Sequence, residues 1–76
     1  MERRALTMLL YINPGWDATA DGGCLRVHSP RYSAREVSPT LGRVVLFDAR
    51  RVWHEVLPSA KRRLALTQLI DYEREP

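Results

Sequence analysis

Two residues sit in settings that suit chemistry, a histidine and an arginine each flanked by apolar residues. His54 lies between Val52 and Val56, and Arg63 alternates with Ala65 and Thr67. In an extended segment, successive side chains point to opposite faces, so each polar group shares a face with apolar neighbours. An inward guanidinium calls for an anionic partner, because an unpaired buried charge is costly. No carboxylate shares those inward faces. The carboxylate of a ligand would satisfy Arg63 through charge-assisted hydrogen bonds, worth about 1.5–3 kcal/mol each. Tyr11 falls on the face of Leu9 and Thr7, from which its hydroxyl could reach the same anion.

Plainer roles compete for each of these residues. His54 could be a core histidine bonded to backbone, Arg63 could snorkel to solvent from a strand end, and Tyr11 could serve packing alone. Cys24 has no base or second cysteine placed to activate it and reads as a small buried hydrophobe. His28 falls on an outward face and is expected to be solvated. Trp16 and Trp53 read as anchors of the core or of a pocket edge.

The elements that must position these groups are short. Turn formers recur at Asn13-Pro14-Gly15, Asp21-Gly22-Gly23, Ser29-Pro30, Ser38-Pro39 with Gly42, and Pro58-Ser59. Between them lie six strand-length segments: Ala5 to Asn13, Cys24 to His28, Arg35 to Val37, Arg43 to Asp48, Val52 to Leu57 and Arg63 to Ile70. Their β-branched and aromatic content favours strands, and turns at such close intervals point to an all-β barrel or sandwich. Alternation groups Thr7 with Leu9 and Tyr11, Leu25 with Val27, Val52 with His54 and Val56, and Arg63 with Ala65, Thr67 and Leu69. Several segments are apolar on both faces, so the sheet expects cover on both sides. Seventy-six residues hardly supply that, since a chain of this size buries only about 60% of its unfolded surface.

Composition narrows the partners. The formal charge is +3, with arginines in pairs and not in a continuous run. No basic patch interleaved with aromatics appears, which speaks against nucleic acid. The apolar stretch Leu6 to Ile12 is too short to span a membrane and is followed by no small-residue cleavage site. One cysteine precludes an internal disulfide; it agrees with a reducing compartment, and a soluble, cytoplasmic protein is the expectation.

Five motifs in order carry a family resemblance that covers about Leu6 to Ile70. Leu10-Tyr11-Ile12-Asn13 with Trp16-Asp17, and then Gly22-Gly23-Cys24-Leu25-Arg26, resemble the Tyr-Leu-Asn-x-x-Trp and Gly-Gly-x-Leu-Arg motifs of the prolyl 4-hydroxylases. Gly42-Arg43-Val44-Val45-Leu46-Phe47 and Trp53-His54-Glu55-Val56 resemble the strands leading into that family's distal histidine. Arg63 follows His54 by nine residues, the family's usual spacing to its 2-oxoglutarate-binding arginine.

The resemblance implies an iron(II)- and 2-oxoglutarate-dependent dioxygenase with a double-stranded β-helix, or jelly roll. Residues 1–76 would form the C-terminal part of its domain, with the later strands only. Such enzymes hydroxylate a peptidyl or small-molecule C–H bond and release succinate and carbon dioxide, while ascorbate keeps the iron reduced. By the same resemblance His54 would ligate iron, and Arg63 and Tyr11 would hold the far carboxylate of 2-oxoglutarate. Leu25, Val56 and Thr67 would line the co-substrate pocket. One departure bears on activity. The family's other two iron ligands come as His-x-Asp, which this sequence lacks and which would fall upstream of Met1. The chain by itself is therefore expected to be inactive. A smaller departure is Leu69, where relatives often carry tryptophan. Two other classes stay open: a non-catalytic 2-oxoglutarate-binding module, and a β-sheet interaction module that associates through an exposed sheet.

Overall fold

Strand-forming residues, broken by proline and glycine at short intervals, build six strands and one turn of helix. A computed structural model describes residues 2–74. In chain order the elements are β1 (Glu2–Tyr11), α1 (Ala18–Asp21), β2 (Leu25–His28), β3 (Arg35–Val37), β4 (Val44–Phe47), β5 (Trp53–Val56) and β6 (Ala65–Arg74). They form two three-stranded antiparallel sheets, ordered β4-β1-β6 and β3-β2-β5. Apart from the β2–β3 hairpin, each connection between strands crosses from one sheet to the other. That winding is part of a jelly roll, and the all-β class expected from the turn spacing holds. Among the described residues no helix is long and apolar enough to cross a membrane.

Register sorts the faces. Leu9 stands opposite Val45 and Thr67, Thr7 opposite Phe47 and Leu69, and Tyr11 opposite Ala65. On the second sheet Leu25 pairs with Val56 and Val27 with His54. These are the side-chain sets that alternation predicts. Phe47 meets His54 edge-on with ring centroids 4.9 Å apart, which joins the first set to the second across the sandwich.

Several boundaries differ from the expected ones. β1 begins at Glu2 and not Ala5, and β6 runs on past Ile70 to Arg74, because these stretches pair with each other (Ala5 with Asp71, Glu2 with Arg74). Their polar composition conceals a strand that only a partner completes. Arg63 belongs to the extended lead into β6 and not to the strand itself. The helix α1 was not expected either. Asp17 caps it, its Oδ1 accepting from the amides of Thr19 and Ala20, while Asp21 Oδ2 accepts from the Asp17 amide. This reciprocal capping closes a single turn.

The core is thin: among the described residues the buried apolar side chains are Tyr11, Cys24, Leu25 and Pro39. Val44, Leu46 and Leu66, on the outer face of the first sheet, are each more than half exposed, as are Leu69 and Val56 on inner faces. The radius of gyration is 14.0 Å, against about 11 Å for a compact domain of this length. The sandwich is therefore open, with both faces of β4-β1-β6 partly uncovered, as the two-sided apolar pattern foretells.

Candidate functional site

The site starts from a strand that ends in an asparagine. Tyr11 closes β1 at the centre of its sheet, its amide donating to the Arg43 carbonyl at 3.0 Å and its carbonyl accepting from Gly42 at 2.9 Å. Pro14 cannot continue the ladder, and the buried Asn13 side chain replaces it. Asn13 Nδ2 donates to the carbonyls of Pro39 (2.7 Å) and Leu64 (2.9 Å), and its Oδ1 accepts from the Leu64 amide (2.8 Å). Leu64 is thus pinned beside Tyr11, and its predecessor Arg63 turns inward over the Tyr11 ring.

Arg63 is held from two sides. Its Nε donates to the Gly23 carbonyl at 2.7 Å and its Nη2 to the Tyr11 hydroxyl at 3.2 Å, with the guanidinium carbon 5.0 Å from the Tyr11 ring centroid. All these partners are neutral, and among the described residues no carboxylate pairs with Arg63. The half-buried charge therefore has no protein carboxylate beside it among the described residues. Tyr11 is fully buried. Burial pushes its hydroxyl's pKa up, and the adjacent guanidinium pulls it part of the way back. A neutral Tyr11 that accepts from Arg63 still has its own proton to donate. Together the pair presents several N–H and O–H donors to one anion, which suits a carboxylate.

His54 lies on β5, at the level of Val27 and Phe47. Its Nδ1 lies 2.7 Å from the Val52 carbonyl. A carbonyl only accepts, so Nδ1 carries the proton and the Nε2 lone pair is left for a metal or an acid. His54 does have the backbone partner of a core histidine, yet it is exposed. Val56 and Leu25 stand one side-chain repeat further along the same face, and Gly23, the partner of Arg63, follows beyond Leu25. Thr67 belongs to the facing set with Leu9. Of the six expected site residues, Tyr11 and Arg63 are in direct contact and Leu25 and Val56 are paired, while His54 and Thr67 are exposed at separate positions along the cleft.

A cavity of about 850 Å³ adjoins His54 on the side of His28, Pro30 and Trp53, away from Arg63. Trp53 is 82% exposed and pairs with His28 on the outer face, so it is no core anchor. Glu55 shares that face, taken up by His28 at 3.1 Å and Arg26 at 3.4 Å. Trp16 is half-buried and donates from Nε1 to the Gly22 carbonyl at 2.9 Å. Among the described residues no group of three His, Cys, Asp or Glu side chains is brought together. Asp48 is committed to its own turn, with Oδ1 accepting from the Arg50 amide and Oδ2 facing Arg51 at 3.6 Å.

Sequence reasoning read Asn13 and Gly22-Gly23 as turn formers and as motif residues, and missed the structural part that the Asn13 side chain and the glycine carbonyls play. The signal available was an Asn-Pro step at a strand end, where a side-chain amide can take over from backbone.

Comparison with known proteins agrees with this geometry. The family described as the 2OG-Fe(II) oxygenase superfamily matches residues 1–71. The hypoxia-inducible factor prolyl hydroxylase of Caenorhabditis elegans is 36% identical over 66 residues, 84% of this chain and 9% of that protein. The mouse prolyl hydroxylase EGLN3 is 39% identical over 66 residues, 84% of this chain and 28% of its own length. Among solved structures, a Pseudomonas putida prolyl-4-hydroxylase superposes with a TM-score of 0.79 at 38% identity, over 95% of this chain and 38% of that one. A Trichoplax adhaerens prolyl hydroxylase, solved with a peptide of the hypoxia-inducible factor oxygen degradation domain, gives 0.78 at 36% identity, over 87% and 30%. The chain thus spans well under half the length of these proteins. A family match over nearly all its residues, joined to this fold, makes the chain a member of the 2OG-Fe(II) oxygenase superfamily.

Proposed function

We propose that residues 1–76 form the later, C-terminal part of a prolyl-hydroxylase-type dioxygenase domain, the part that captures 2-oxoglutarate and contributes the distal iron-binding histidine. The observation that carries this reading is the uncompensated Arg63 charge beside the Tyr11 hydroxyl, an arrangement that lacks only a carboxylate. Arg63 and Tyr11 bind the far carboxylate, and Leu25, Val56 and Thr67 line the cleft toward His54. His54 offers Nε2 to the metal, with its ring orientation set by the Val52 carbonyl.

The iron is a partial fit. His54 is a suitable ligand, but the described residues supply no histidine and carboxylate to join it, and Glu55 and Asp48 are engaged elsewhere. We assign the two remaining ligands to residues outside the 76 of this sequence. In the family, Fe(II) with 2-oxoglutarate activates oxygen for hydroxylation of a C–H bond, and ascorbate would keep that iron reduced. The peptide bound to the Trichoplax relative supports a peptidyl substrate; a small molecule is the other option. A second reading, a non-catalytic 2-oxoglutarate-binding module, is favoured by the single metal ligand.

The test is direct binding of 2-oxoglutarate to the purified chain by calorimetry. Arg63→Ala removes the charged donors, at about 1.5–3 kcal/mol for each hydrogen bond lost, so affinity should fall at least tenfold. Equal binding by the variant would remove Arg63 from the site.

A further inference from the structure

Two backbone segments meet behind Arg63 more closely than any side chain would allow. A Cβ added at Gly22 would lie 2.5 Å from the Pro58 carbonyl oxygen. At Gly23, with φ +74°, it would meet Trp16 at 2.9 Å, Ser59 at 3.0 Å and the Arg63 Cδ at 3.3 Å. Main-chain bonds stitch the two turns together, from the Gly23 amide to the Pro58 carbonyl (3.0 Å) and from the Ala60 amide to the Asp21 carbonyl (2.8 Å). Three side chains close the seam. Trp16 Nε1 holds the Gly22 carbonyl, Lys61 Nζ meets Asp21 Oδ2 at 3.0 Å, and the same ammonium lies 5.3 Å from the centroid of the Trp16 ring. The hydrogen bonds of Asp21 to the Asp17 amide and to Lys61 also hold its carboxyl below the ordinary value.

This seam controls which edge of Arg63 is free. A guanidinium has five N–H donors in a planar fork. The Gly23 carbonyl takes Nε–H and the Tyr11 hydroxyl takes one proton of Nη2. With the side edge occupied, the Nη1–Nη2 end is left to grip a carboxylate with two parallel bonds. We infer that Trp16, Asp21 and Lys61 are positioning residues for 2-oxoglutarate: they lock the Gly22-Gly23 turn so that the Gly23 carbonyl turns the Nη1–Nη2 end of Arg63 toward the far carboxylate. The inference rests on the co-substrate reading above and extends it to residues that do not touch the ligand. It also makes the arginine's reach, and so the preferred length of the dicarboxylate, a property of the seam.

The experiment compares the full chain with Trp16→Phe, which keeps an aromatic ring and loses the indole N–H, and with Lys61→Met and Lys61→Arg. One readout is the Arg63 Nε–H resonance by NMR, slowly exchanging in the unaltered chain. The other is affinity for 2-oxoglutarate and for oxaloacetate, one carbon shorter. A net hydrogen bond is worth roughly 1 kcal/mol, so Trp16→Phe should weaken 2-oxoglutarate about three- to tenfold while the weaker oxaloacetate hardly changes. Lys61→Met should cost about two- to fourfold, and Lys61→Arg should restore binding. In Trp16→Phe and Lys61→Met the Nε–H signal should exchange faster, with β1 and β6 amides unmoved. If the unaltered chain binds 2-oxoglutarate but Trp16→Phe changes neither Nε–H exchange nor affinity, the positioning inference fails alone. An unaltered chain with a protected Nε–H that binds no 2-oxoglutarate overturns the co-substrate reading itself.

Discussion

Replacing Asn13 by alanine should loosen the whole site from a position that touches no ligand. The side chain makes three hydrogen bonds, two as donor and one as acceptor, and is only 5% exposed. At about 0.5–1.5 kcal/mol each, their loss amounts to roughly 3 kcal/mol, with the Leu64 amide left unpaired. A chain of this length has a total stability of only about 4–11 kcal/mol. With a urea slope of about 1–1.5 kcal/mol per molar, the unfolding midpoint should drop by roughly 2 M, and the Leu64 amide should lose its protection from hydrogen exchange. Asn13→Asp should be at least as damaging at neutral pH. Its carboxylate still accepts from the Leu64 amide but faces the Pro39 and Leu64 carbonyls with no proton to offer, so the damage should ease in acid. A midpoint shift in Asn13→Ala below about 0.5 M, with the Leu64 amide still protected, would refute the claim that Asn13 splices β1 to the lead of β6.

Three further outcomes are expected. In an ultraviolet titration, Tyr11 should ionise above the ordinary value of 10.0, and higher still in Arg63→Ala. Because the folded value is raised, the stability it brings is complete below pH 10 and is lost as pH climbs through the folded value; a Tyr11 transition at or below 10.0 would contradict this. The isolated chain should self-associate, since the outer face of β4-β1-β6 leaves Val44, Leu46 and Leu66 exposed, and a monomer in sedimentation would disprove it. Incubated with Fe(II), ascorbate and 2-oxoglutarate, the chain should form no succinate above the free-iron background, because His54 alone cannot hold the ion; succinate that disappears in His54→Ala would point to a replacement ligand among these residues.

Most of the strands could be read locally, whereas the single turn of α1 was missed. Strands are legible because side-chain alternation and turn residues are local properties, and alternation alone put Tyr11, Arg63, Leu25, Val56 and Thr67 on inward faces with His54. The charge of Arg63 likewise called for an anionic partner, since burying it unpaired is costly whatever the fold. The ends of β1 and β6 were not legible, because Glu2–Ala5 and Asp71–Arg74 become strands only by pairing with each other across the length of the chain. The same holds for the grip on Arg63. Its acceptors lie 40 and 52 residues away at Gly23 and Tyr11, and Asn13 bonds to groups 26 and 51 residues distant. Such partners are chosen by how two sheets and three turns pack, which no periodicity encodes. Sequence by itself thus determined which groups face inward and what chemistry they suit. Only the tertiary structure decided that Nε of Arg63 is spent on a carbonyl, that Trp53 lies in solvent, and that Glu55 is taken up by Arg26 and His28, because each depends on distances between segments far apart in the chain.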